Sequence, residues 1–241
     1  MAGGKNNMTS IIILTYNRLD CTKKCIEAIT DNAPYGDGYE IVVVDNGSTD
    51  GTREWLEAQV AEGGILKLHL CQENIGVPAG WNIGIELATS DTDYYVILNN
   101  DVYVTPGWLE KLMAVITLNP LIGMVGPMTN EISGPQLRGS FPQGWNFYFW
   151  RLVGFCLLIK GEVLRKVGEF DERFGRGNFE DDDYSVRVIQ AGYKNVICGG
   201  CFVYHDGSAS WEPGALEEQL IKNKKIFDEK WPADKLKEII G

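Results

Sequence analysis

Through its first half the chain alternates apolar, β-branched runs with helix-period segments, and each run ends in a polar cluster. Ser10-Ile-Ile-Ile-Leu-Thr15 and Glu40-Ile-Val-Val-Val-Asp45 are apolar on both faces, as strands are when helices cover a parallel sheet from both sides. Ile65 to Leu70 and Tyr94 to Leu98 read as two more strands. Helices are predicted over about Leu19 to Ile29, from the Ser48-Thr49-Asp50 capping cluster to about Ala61, and over Pro78 to Ala88. Thr105-Pro106 reads as a further helix start, an N-cap followed by proline, with that helix ending before Asn119-Pro120. Strand, helix, strand, helix in that order implies right-handed crossovers and an α/β, doubly wound, mostly parallel sheet.

Such sheets bind ligands beyond the carboxyl ends of their strands. Three polar clusters fall there: Thr15-Tyr16-Asn17, Asp45-Asn46-Gly47-Ser48 and Asn99-Asn100-Asp101. One shared crevice is therefore expected for all three. The second half is less regular. Strands are predicted at Val153 to Ile159 and Val196 to Tyr204, and helices at Gly161 to Val167, Phe179 to Ala191 and Ala215 to Trp231. The aromatic run Phe141 to Trp150 is expected to be mostly core, with one or two rings left to touch a sugar.

Charge and composition narrow the function. Of 241 residues, 22 are Lys or Arg and 33 are Asp or Glu, a net charge of -11. A nucleic-acid partner needs a basic face and is not expected. The six cysteines are too sparse for a disulfide scaffold, and a four-thiolate zinc site from Cys21, Cys25, Cys198 and Cys201 is disfavoured. Met1 to Asn7 has no apolar signal-peptide core, and Trp145 to Ile159 is interrupted by Arg151. The expectation is a reduced, cytoplasmic protein with no transmembrane segment, at most peripheral to a membrane.

Several side chains carry chemistry. Asp101, at a strand end, suits Mg²⁺ or Mn²⁺ shared with a diphosphate, while Asn-Asn-Asp is equally good Asx-turn material. His205 ends the last strand and could add a nitrogen ligand, which tilts preference toward Mn²⁺. Glu180-Asp181-Asp182-Asp183 opens a helix; such acids complement the helix dipole, and an ionised one could also accept a hydroxyl proton. Asn74, Gly76, Asn82 and Gly84 lie in a glycine-rich loop and helix that suit close backbone approach to a ligand.

In this order the segments resemble the family 2 glycosyltransferases, inverting enzymes of the GT-A fold, over roughly residues 9 to 210. The resemblance implies that Thr15, Tyr16, Asn17, Asp45, Asn74, Gly76, Asn82 and Asn100 bind the nucleoside of the donor. It implies that Asp101 holds the metal with His205, and that Asp181 of the Glu180-Asp181 pair is the catalytic base. Asn99 stands where the family's metal motif has its first acid, which leaves Asp101 more dependent on His205. The implied donor is a UDP- or dTDP-sugar, and the acceptor a hydroxyl of a glycan, lipid-linked glycan or protein. Residues 1–241 read as one domain: a nucleotide-sugar half at about 9–118, a catalytic and acceptor half at about 119–210, and a C-terminal helix at about 211–241. The segment Asn223 to Trp231 resembles a subgroup found as modules of larger bacterial polysaccharide-assembly proteins. Two alternatives stay open, a sugar nucleotidyltransferase and a catalytically idle sugar-nucleotide-binding module.

Overall fold

A computed structural model describes residues 8–32, 38–63, 67–132, 134–140, 144–207 and 215–241. The strands are β1 (Thr9–Thr15), β2 (Tyr39–Asp45), β3 (Lys67–Leu70), β4 (Tyr94–Asn99), β5 (Val102–Val104), β6 (Ile122–Thr129), β7 (Asn146–Tyr148), β8 (Cys156–Lys160) and β9 (Lys194–His205). The helices are α1 (Leu19–Asp31), α2 (Thr52–Ala61), α3 (Val77–Leu87), α4 (Trp108–Ile116), α5 (Gly161–Val167), α6 (Glu180–Gln190), α7 (Ala215–Lys230) and α8 (Ala233–Ile240).

One nine-stranded sheet runs β3-β2-β1-β4-β8-β6-β9-β5, with β7 paired to β9. The first four strands are parallel; β8, inserted antiparallel between β4 and β6, leaves β6 and β9 running with them. Alternate residues of one strand enter different cores, as the two-residue period requires. Ile11 and Ile13 of β1 join Cys25, Ile29, Leu56 and Trp108 on one face, while Ile12 and Leu14 join Trp81, Val163 and Tyr184 on the other. Trp81 and Trp108, fully buried on opposite faces, are worth about 1.5–3 kcal/mol each in apolar burial.

Several expectations are corrected. Thr105-Pro106 does not cap α4: the helix starts at Trp108 after a left-handed Gly107, and the Thr105 hydroxyl instead donates to the Phe202 carbonyl at 2.6 Å. Residues 122–129 form the wholly buried strand β6, although Gly126 and Pro127 lower its strand propensity. Tertiary pairing with β8 and β9 decides it. The aromatic run is not core. Trp145 and Tyr148 are exposed, Phe147, Phe149 and Trp150 are only partly buried, and Phe141 lies outside the described residues. β7 sits on an edge of the sheet, so only Phe147 of its side chains leans on the core, with Asn146 and Tyr148 exposed. Of the strand expected from Ile65, Lys67–Leu70 is a strand and Ile65 lies outside the described residues. All six cysteines are buried and free.

Candidate active site

The order of the sheet reverses at β1, with β2 on one side and β4 on the other, and a crevice opens beyond the carboxyl ends of these strands. It comprises two adjoining cavities. One, of about 350 Å³, is lined by Tyr16, Arg18, Asn46, Asn74, Asn100 and Asp101, among others. The other, of about 580 Å³, reaches Trp81, Arg151, Gly154, Glu180, Asp181 and Leu220. Val77, Asn99, Arg176, Asn178 and His205 line both.

Asp101 and His205 meet because β5 and β9 pair antiparallel with Val102 opposite His205. His205 Nε2 stands 3.4 Å from Asp101 Oδ1. The other ring nitrogen, Nδ1, is 2.9 Å from the Glu131 carbonyl, which fixes the ring orientation. Asn130 pairs with the His205 backbone, accepting from its N–H at 2.8 Å and donating to its carbonyl at 3.1 Å, and Phe155 stacks on the imidazole. Burial alone would lower the histidine's pKa, but the Asp101 hydrogen bond and charge, with the Glu131 carbonyl, raise it overall. One carboxylate and one imidazole give a divalent ion two protein ligands, and among the described residues no third His, Cys, Asp or Glu completes the group. The set fits a metal whose remaining ligands are diphosphate oxygens.

Asp181 stands at the start of α6 but does not cap it. Its Oδ2 accepts the Gly154 N–H at 2.8 Å and its Oδ1 accepts the Asp182 N–H at 2.8 Å. Burial pushes its pKa up, and the two N–H groups and Arg151 only partly counter this. Glu180, 5% exposed with Oε2 unpartnered among the described residues, has its pKa raised well above the usual range, by burial first and then by the neighbouring Asp181 charge. Burial likewise pushes Asp182 up to about 7, against the opposing pull of Arg151 at 3.3 Å. The fourth acid is separate: Asp183 is fully buried and bonded by Arg187 Nε at 2.8 Å, Lys230 Nζ at 2.7 Å and the Trp231 indole N–H at 2.8 Å. Four consecutive acids thus have distinct environments, a separation that periodicity could not reveal.

The nucleoside residues divide similarly. Tyr16, Asn74 and Asn100 line the smaller cavity. The Thr15 hydroxyl is buried against Thr22 at 2.7 Å and accepts from Asn100 at 3.1 Å, so it orients Asn100 from behind. Asn17 is left-handed, and its side chain accepts the Thr49 N–H at 2.8 Å, tying the end of β1 to the loop after β2. Asp45 is fully buried; its Oδ2 accepts the Ser48 N–H at 3.1 Å and meets Arg53 at 3.4 Å, while Oδ1 has no partner among the described residues. Gly76 packs on the Gly175 carbonyl, which a Cβ would strike, and serves loop-to-loop contact rather than the cavity. Asn82 is on the far side of α3, where it accepts from Phe170 N at 2.9 Å and donates to the Phe170 carbonyl at 3.0 Å and Glu172 Oε1 at 3.0 Å. It does not line the crevice; it pins the segment before α6.

Sequence reasoning missed Arg176, Asn178 and Leu220 among the lining residues, while Asn46 lines the smaller cavity as its strand-end cluster implied. Asn178 and Phe179 are left-handed, a conformation that costs a non-glycine residue roughly 1–2 kcal/mol, gathers at functional sites and is visible only in the structure. Arg18, the basic residue after β1, is paired with Asp20 at 3.5 Å and Asp206 at 4.0 Å.

A sequence model described as Glycosyl transferase family 2 matches residues 10–160, more than half of the chain. Glycosyltransferase AglE of Haloferax volcanii is 33% identical over 200 residues, covering 77% of this chain and 62% of that protein. The N-acetylglucosaminyl-diphospho-decaprenol L-rhamnosyltransferase of Mycobacterium tuberculosis is 26% identical over 219 residues, covering 68% of this chain and 66% of that protein. Another relative, the uncharacterized protein y4gI of Sinorhizobium fredii, is 29% identical, covering 84% of this chain but 25% of its own length. The chain thus spans between a quarter and two thirds of the length of these curated relatives. Among solved structures, GalNAc-T7 with UDP, GalNAc and Mn²⁺ superposes with a TM-score of 0.77 at 17% identity, over 95% of this chain and 50% of that one. The mannosyltransferase PcManGT from Pyrobaculum calidifontis, in complex with GDP-Man and Mn²⁺, does so with a TM-score of 0.68 at 21% identity, over 93% and 66%. By sequence this chain belongs to glycosyltransferase family 2, and its fold is GT-A.

Proposed function

We propose that this chain is an inverting glycosyltransferase that moves a sugar from a UDP- or dTDP-sugar to a hydroxyl of a glycan, lipid-linked glycan or protein. The observation that carries this reading is the position of Asp181. Its carboxylate is gripped by two backbone N–H groups in the larger cavity, next to the smaller one that holds the Asp101–His205 pair.

The nucleoside lies in the smaller cavity against Tyr16, Asn74 and Asn100, and the acceptor enters the larger one. Asp181 takes the acceptor's proton as its oxygen bonds to the anomeric carbon. The bond from that carbon to the diphosphate breaks on the opposite face, inverting the configuration. With its pKa raised, Asp181 is a stronger base than an ordinary aspartate. A divalent cation, Mn²⁺ or Mg²⁺, would be held by Asp101 and His205 and would supply neutralisation of the departing diphosphate. Arg176 adds positive charge to the same wall.

The solved neighbours carry UDP or GDP-mannose with Mn²⁺, which supports a nucleotide and metal here. Among the described residues no helix is long and apolar enough to cross a membrane. Residues 1–241 are read as one domain, and the chain as a cytoplasmic module acting alone or within a larger assembly. Calorimetric titration of UDP and dTDP with Mn²⁺ and then with EDTA tests the donor site. Affinity should fall under EDTA, and equal affinities would overturn the metal-held diphosphate.

A further inference from the structure

α7 lies beyond the segment matched to the family, yet one of its side chains braces the crevice from behind. Gly175, Gly177, Asn178 and Phe179 all have left-handed backbone, with φ of 55°, 104°, 73° and 74°. Backbone bonds tie the loop only at its ends, where the Gly177 N–H reaches the Phe174 carbonyl at 3.2 Å and the Phe179 carbonyl accepts the Asp183 N–H of α6 at 2.9 Å. Three carbonyls of this segment converge on one side-chain group. Asn223 Nδ2 donates to the carbonyls of Phe174 at 2.7 Å, Gly177 at 2.8 Å and Asn178 at 2.8 Å.

Asn223 is fully buried, and its Oδ1 has no partner among the described residues. Rotating the amide by half a turn would set that oxygen against three carbonyl oxygens, so chemistry fixes the orientation. A buried acceptor is left unsatisfied in order to keep the donors where they are. Gln219, one turn earlier, adds a bond to the Phe174 carbonyl at 3.0 Å. On its other side the loop meets the nucleotide half, where the Gly175 carbonyl accepts the Val77 N–H at 2.8 Å. Arg176 and Asn178, carried by this loop, line both cavities.

We propose that Asn223 is a positioning residue of the active site, whose amide fixes the loop 175–179 and so sets where Arg176 and Asn178 meet the diphosphate of a nucleoside diphosphate ligand. The ligand half rests on the glycosyltransferase reading; the clamp itself does not.

Two measurements separate them. Limited trypsin digestion of the folded chain, with cleavage after Arg176 followed by mass spectrometry, reads the loop without any ligand. Asn223→Asp, equal in size but without the donors, should speed that cleavage about tenfold because the loop opens locally. Gln219→Ala, a milder variant at the same carbonyl, should speed it less. Trp231→Phe, which unties the far end of α7 from Asp183, should lower Tm without speeding it. Calorimetry with UDP and with uridine, both in Mn²⁺, reads the ligand half. Asn223→Asp should weaken UDP about tenfold while leaving uridine unchanged, a loss confined to the diphosphate contacts. Unchanged cleavage at Arg176 in both loop variants overturns the clamp, and equal weakening of UDP and uridine overturns the positioning role. Failure of the unaltered chain to bind UDP overturns the glycosyltransferase reading instead, while the digestion still decides the clamp.

Discussion

The carboxylate of Asp181 accepts the backbone N–H of Gly154 at 2.8 Å, joining the first turn of α6 to the segment that leads into β8. Gly154 is one of the tightest points of the site. A Cβ there would lie 2.6 Å from the Trp81 ring and 3.4 Å from the Asp181 Cβ. The two residues therefore set each other's positions, and the Asp181 carboxylate can shift only by giving up its bond to that wall.

Asp181→Asn keeps the size of the side chain and removes the proton acceptor. Turnover should fall by about 10²–10⁴, while UDP affinity measured by calorimetry stays near that of the unaltered chain. Near-normal turnover would remove Asp181 from the role of base.

Activity should also depend on pH in a defined direction. A base must be ionised, and burial raises the Asp181 pKa, so the acidic limb of kcat/KM should lie above the ordinary carboxylate range. Arg151 lowers that pKa through its charge, so Arg151→Gln should move the limb to still higher pH. A limb at the usual aspartate value, or one unmoved by Arg151→Gln, would contradict the assignment.

Gly154→Ala should lower both turnover and stability. The added methyl meets the buried Trp81 ring, and overpacking of this kind costs about 1–3 kcal/mol. It also disturbs the N–H that holds Asp181. Thermal melting and steady-state kinetics on one preparation should show reduced Tm and kcat; a change in neither would mean that the wall yields freely.

Asp183 should act on stability rather than chemistry. Asp183→Ala removes the partner of Arg187, Lys230 and Trp231 from a fully buried position. Breaking a buried charge network costs about 3–5 kcal/mol, roughly 10 °C in Tm for a chain of this size. Denaturant unfolding would measure it, and a loss below about 1 kcal/mol would mean that the network is nearly neutral.

Local sequence determined the first half of the fold. Ile11 to Leu14 and Ile41 to Val44 are apolar at every position, and only a strand covered on both faces buries them all. That pattern alone implied one crevice for Tyr16, Asn46, Asn100 and Asp101, because strand ends of a parallel sheet share an edge. Long-range contact decided the rest. β6 exists through pairing with β8 and β9, despite a glycine and a proline in its middle. The four acids from Glu180 to Asp183 are equivalent as letters and differ only through what Gly154, Arg151 and Trp231 bring to each. Asn82 pins Phe170, and Asn223, which the sequence marked only as the start of a segment resembling a subgroup, holds the loop of Arg176. Burial and hydrogen-bond partners are set by segments distant in the chain, so the order of residues could place these side chains on elements but not say what they touch.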